Sequence, residues 1–109
     1  MGASEDLREI IAPNRAAAEK LAAEIMEQDR FENGHEYSGT IGMASGVRTF
    51  VHPKPLTEDQ ARVWIFGEWD DASGQYKEGK AEKWGPAILV NVKAKNRKRR
   101  WFLGAVCSE

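Results

Sequence analysis

Side chains that ligate metals or attack carbonyl groups are few in this sequence and stand far apart. The only histidines are His35 and His52, and the only cysteine is Cys107. A structural zinc site takes four such ligands at short spacing, so three scattered over 73 positions predict none. Nucleophilic catalysis needs a serine or cysteine beside a base and an orienting group. Ser38, Ser45 and Ser73 lie in glycine-flanked stretches, but none sits in a Gly-x-Ser-x-Gly elbow. Gly39-x-x-Gly42 lacks the Lys-Ser/Thr that completes a phosphate loop. Cys107 reads as a small apolar residue of a strand. Two carboxylate groupings remain, Glu58/Asp59 and Glu68/Asp70/Asp71. A helix N-terminus explains the first and loop solvation the second, which leaves little for acid–base work. No catalytic residue, metal ligand or cofactor is expected.

The stronger chemical signal is positive charge. Lys93, Lys95, Arg97, Lys98, Arg99 and Arg100 fall within eight positions, and Trp101 follows directly. Clustered cations suit phosphate or an acidic protein surface, and an adjoining tryptophan suits base stacking or an interface anchor. The competing explanation is a solvated turn kept soluble by its charge. The net charge of -1 hides this polarity: residues 1–83 carry -6 and residues 84–109 carry +5. There are four tryptophans, Trp64, Trp69, Trp84 and Trp101. A small domain fills a limited core efficiently with large aromatics, so core packing is expected to account for three of them.

These residues need a scaffold, and 109 residues supply one domain, 1–109. Hydrophobic residues at 41% and charged residues at 30% are the balance of a folded chain. No apolar stretch exceeds about five residues, far short of the ~20 that cross a bilayer. Glu5, Asp6, Arg8 and Glu9 stand where a signal peptide would be apolar, and a single cysteine suits a reducing compartment, so a cytoplasmic protein is expected.

Along the chain, Leu7, Ile10 and Ile11 are three and four residues apart with Ser4 as a possible N-cap, which predicts a short helical turn broken at Pro13. Asn14 to about Gln28 predicts the most secure helix, with Ala18, Leu21, Ala22, Ile25 and Met26 as its apolar stripe. Alternation over Tyr37–Met43 and Val47–Val51 predicts an antiparallel hairpin. Thr57 and Gln60 form a capping-box pattern that opens a helix from Glu58 to about Trp69, with a strand over Val63–Phe66 as the alternative. Gln75 to Lys83 reads as a short helical turn. Alternation over Ala87–Lys95 and Arg100–Cys107 predicts a final hairpin. The sum is an α+β domain of order α-β-β-α-β-β, an antiparallel sheet of about four strands with helices on one face in two layers.

Three functions compete on this reading. The first is a non-enzymatic binding protein that covers a surface of a protein or nucleoprotein partner through Lys93, Lys95, Arg97, Lys98, Arg99, Arg100 and Trp101. Small inhibitors of bacterial defence carried by phages and mobile elements, anti-CRISPR proteins among them, have this size and character. The same class of inhibitor can instead present its acidic residues as a mimic of nucleic acid. The second is a nucleic-acid-binding protein that uses the basic hairpin itself. The third is an enzyme with a cleft lined by His35, Tyr37 and the Asp70/Asp71 loop. The oligomeric state is not legible, and no membrane contact is expected.

Overall fold

The computed structural model describes residues 3–33, 40–82 and 84–108. Its elements are β1 (Ala3–Ile11), α1 (Arg15–Asn33), a 3-10 turn (Ile41–Met43), β2 (Val47–Phe50), α2 (Glu58–Phe66), β3 (Gly67–Asp70), β4 (Gln75–Glu78), β5 (Ala87–Lys95) and β6 (Lys98–Ser108). Four strands form one sheet in the order β1-β6-β5-β2, and β3 and β4 form a separate two-stranded ribbon. The expected single α+β domain with a four-stranded sheet is what forms. The sheet is mixed: β6 runs antiparallel to β1 and β5, while β2 lies parallel to β5.

The long hairpin β5–β6 is the centre of the core. Leu89, Trp101, Leu103, Ala105 and Cys107 pack together with Ile10 of β1 and with Ala18, Ala22 and Met26 of α1. The alternate residues Ile88, Val90, Val92 and Phe102 pack with Ala61, Ile65 and Phe66 of α2. The two helices therefore cover opposite faces of the sheet, where the sequence suggested that they share one. A Cβ added to Gly104 would sit 2.8 Å from Ile65 Cγ2, which shows how closely α2 lies on its face. Leu89, Leu103, Ile88 and Val90 are fully buried, each contributing about 1.5–3 kcal/mol of hydrophobic stabilisation.

The strands depart from the sequence reading at three places. Residues 4–11 are strand rather than helical turn, because Leu7 serves one face and Ile10 the other. The face that carries Ile10 also carries the charged Asp6 and Arg8, so the strand shows no clean period of two and its apolar residues mimic helical spacing. In the predicted first hairpin, Tyr37–Gly39 lies outside the described residues. Ile41–Met43 is a 3-10 turn, and β2 pairs in parallel with β5. Gln75–Glu78 is the strand β4, not a helical turn.

Local signals elsewhere behave as their chemistry dictates. Asn14 Oδ1 accepts from Ala17 N at 2.9 Å and opens α1. At α2 the Thr57 hydroxyl accepts from Gln60 N at 3.1 Å, while Gln60 Oε1 accepts from Thr57 N at 3.0 Å. Both halves of the capping box are present, with Glu58 and Asp59 in the positive first turn. The helix stops at Gly67, short of the predicted end, so Trp69 falls on β3 and is exposed. No helix among the described residues is long and apolar enough to cross a membrane.

Candidate functional site: a cationic ribbon

The basic cluster lies where β5 turns into β6. Lys95 pairs with Lys98 across a two-residue turn, Asn96-Arg97, with φ of 54° and 64°. Positive φ at both centres is the type I′ geometry, whose twist matches that of the flanking strands. Asparagine tolerates this conformation, whereas arginine is strained in it. Arg97→Gly is expected to raise unfolding free energy by about 0.5–1 kcal/mol. Urea denaturation measures it, and a loss of stability would refute the strain.

Lys93, Lys95, Arg97, Lys98 and Arg99 are all exposed. Among the described residues, no salt bridge joins any of these five to a carboxylate. Arg99 Nη1 donates to Pro13 O at 3.0 Å, which fastens the ribbon to the start of α1. The ribbon's inner half belongs to the buried sheet, so the cations project from an ordered backbone and contact costs side-chain freedom but little backbone freedom.

Arg100 and Trp101 leave the predicted contact set, because neither is a surface residue. Trp101 is 5% exposed, and its indole N–H donates to Ala12 O at 3.2 Å. It packs with Leu103 and Ala105, the face that strand alternation assigns to it. Arg100 is 6% exposed and structural. Its Nη1 reaches Glu9 Oε2 at 2.8 Å and Glu58 Oε1 at 2.7 Å, and its Nε donates to Lys93 O at 3.0 Å. It ties β1, α2 and β5 together.

The hydrogen bond from Arg100 holds the Glu58 carboxyl below the usual carboxylate range, aided by the charges of Arg100, Lys95 and Arg62. A depressed carboxylate stabilises the fold above its unfolded pKa, and that contribution fades as pH falls through the folded one. The stability gap between the native chain and Glu58→Gln should therefore narrow on acidification below the ordinary carboxylate range. Denaturant midpoints across pH read this, and a gap constant with pH would contradict it.

The remaining chemistry-bearing residues are engaged structurally. Ser73 Oγ donates to Asp70 Oδ2 at 3.1 Å within the β3–β4 turn. His52 packs edge-on against Trp64, with centroids 4.8 Å apart. The Cys107 thiol is pushed up to about 11 by burial, with Asp6 and Asp29 adding to the effect, so it stays protonated near neutrality. His35 and Tyr37, named for an enzymatic cleft, lie outside the described residues. Among the described residues no three of His, Cys, Asp and Glu gather as metal ligands. Of the tryptophans only Trp101 is buried; Trp64 is half-buried against Phe50, and Trp69 and Trp84 are exposed.

Comparison with protein-family models, curated proteins and solved structures finds no match.

Proposed function

We propose that this chain is a binding protein that works by covering an acidic surface of a protein or nucleoprotein partner. Its contact is the β5–β6 ribbon, through Lys93, Lys95, Arg97, Lys98 and Arg99. The observation that carries the reading is five exposed cations without a salt-bridge partner among the described residues, on a ribbon rooted in the core. A chain that needed these charges for its own fold would pair them, as it pairs Arg8 and Arg100. An acidic partner supplies the missing carboxylates, and each buried charge-assisted contact contributes about 1.5–3 kcal/mol. Inhibitors of bacterial defence of the phage-borne kind act by occupying a surface in this way, and the chain is proposed for that class of role.

A nucleic-acid partner is the second reading, favoured by one observation. Arg99 holds the ribbon to the start of α1, whereas Glu24, Glu27 and Glu32 lie further along that helix. At 1.5 Å rise per residue they stand roughly 13–26 Å from Arg15, beyond the ~8 Å Debye length at physiological salt. Their repulsion is largely screened at the ribbon. Salt dependence separates the two partners: a polyphosphate contact gives a steep linear fall of log affinity with log salt. A shallow slope, with binding that survives nuclease, supports the protein partner; a steep slope that nuclease abolishes overturns it.

A further inference from the structure

Beside the root of the ribbon lies a cleft of about 450 Å³ that shares only Arg99 with the ribbon's contacts. Three separate segments build it: the start of α1, the loop after β2, and the turn-proximal parts of β5 and β6. Asn91 fixes the loop. Its Oδ1 accepts from His52 N at 2.8 Å and its Nδ2 donates to His52 O at 3.0 Å, so one side chain closes both backbone bonds of a missing strand pair. Leu56 N donates to Asn91 O, and Lys93 N donates to Leu56 O at 2.8 Å, locking the loop's far end. The loop wall of the cleft is thus fixed at one end by the Asn91 side chain and at the other by backbone bonds.

Its lining divides by chemistry. Val51, Pro53, Pro55 and Trp101 give apolar surface, and Arg15 and Arg99 give two guanidinium groups at the α1 end. His52 also lines the cleft, and its Nε2 is the buried side-chain nitrogen left without a hydrogen-bond partner among the described residues. Arg15 makes one long contact, 3.5 Å, with Glu19, and Arg99 spends one N–H on Pro13 O. Each guanidinium carries five N–H donors, so most remain to be used.

We propose that this cleft binds a small organic phosphate with a planar ring, of the nucleoside monophosphate class. The ring lies against Val51, Pro53 and Pro55, above the buried Trp101, and the phosphate is held by Arg15 and Arg99. Ligand cavities of about 300–1,000 Å³ with apolar walls and a few converging polar groups are the usual form for such molecules. Two guanidinium groups offer more fork-shaped donors than one carboxylate accepts, and a phosphate's oxygens match them better. The inference does not depend on the ribbon's partner, since only Arg99 belongs to both surfaces.

The test is a titration of the full chain with adenosine 5′-monophosphate, adenosine and inorganic phosphate, followed by calorimetry and by amide and indole NMR shifts. The monophosphate should bind and move the Trp101 indole and Asn91 signals, while adenosine and phosphate alone bind at least about tenfold more weakly. Arg15→Ala and Arg99→Ala should each weaken monophosphate binding about tenfold, the loss of one charge-assisted contact. Ala94→Trp, at an exposed position of β5 on the cleft wall, should block it with both arginines in place. Arg97→Ala should leave it unchanged. Absence of binding at millimolar monophosphate, or affinity indifferent to the Arg15, Arg99 and Ala94 substitutions, would overturn the site. Neither result bears on partner capture by Lys95, Arg97 and Lys98.

Discussion

Asp29→Ala should destabilise the fold by about 3 kcal/mol, because it empties one corner of a buried polar network. Asp29 is 5% exposed on α1, and its Oδ2 accepts from Gly42 N at 2.6 Å while Oδ1 accepts from Arg8 Nη2 at 3.3 Å. Arg8 also bridges both oxygens of Asp6, at 2.8 and 3.0 Å, and Asp6 Oδ2 accepts from Ile41 N at 2.8 Å. Two carboxylates thus satisfy two successive backbone N–H groups and seat Ile41, which is fully buried. Without Asp29, Gly42 N loses its acceptor inside the protein, and Arg8 loses part of its counter-charge. Gly42→Ala should be comparably severe: its Cβ would fall 2.6 Å from Arg30 N, a helix backbone atom that cannot move aside. Urea unfolding of both variants reads the effect, and losses under about 1 kcal/mol would show that the network is ornamental to stability.

None of that network is legible in the sequence. Asp6, Arg8, Asp29, Ile41 and Gly42 are brought together only by the crossing of β1, α1 and the 3-10 turn, and their spacings carry no local motif. What the sequence does disclose is local. The Thr57/Gln60 box forms because both partners lie within one turn, and β5 and β6 alternate because their side chains point to opposite faces. That alternation also groups Trp101 with Leu103 and Ala105, so its burial was readable, and its position after two arginines was the misleading cue. β1 is obscured by the charged Asp6 and Arg8 on its inner face, and the parallel pairing of β2 by the chain's excursion through α2 and the β3–β4 ribbon. The cleft beside the ribbon is illegible in the sequence for the same reason as the Asp29 network. Arg15, His52 and Arg99 are distant in sequence and line one cleft because Asn91 pins the His52 loop and Arg99 is bonded to Pro13 ahead of α1.

The second large effect concerns the ribbon. Lys95→Glu, Arg97→Glu and Lys98→Glu together change the local charge by six units at exposed positions. Their side chains make no salt bridge among the described residues, and the fold loses only the modest attraction between Lys95 and Glu58. A partner selected for carboxylates would meet carboxylates, and like charges set against each other cost several kcal/mol, about a hundredfold or more in affinity. The triple variant should melt close to the native chain and yet fail to bind. Arg99 is deliberately spared, since it also anchors α1 and lines the cleft.

The most direct measurement is therefore a paired capture from nuclease-treated cell extract, with native chain and triple variant as baits at equal concentration and matched circular dichroism. The native chain should retain a specific acidic protein partner that the variant does not. Recovery of the same partner in equal amount by the folded variant would contradict the ribbon as the contact surface.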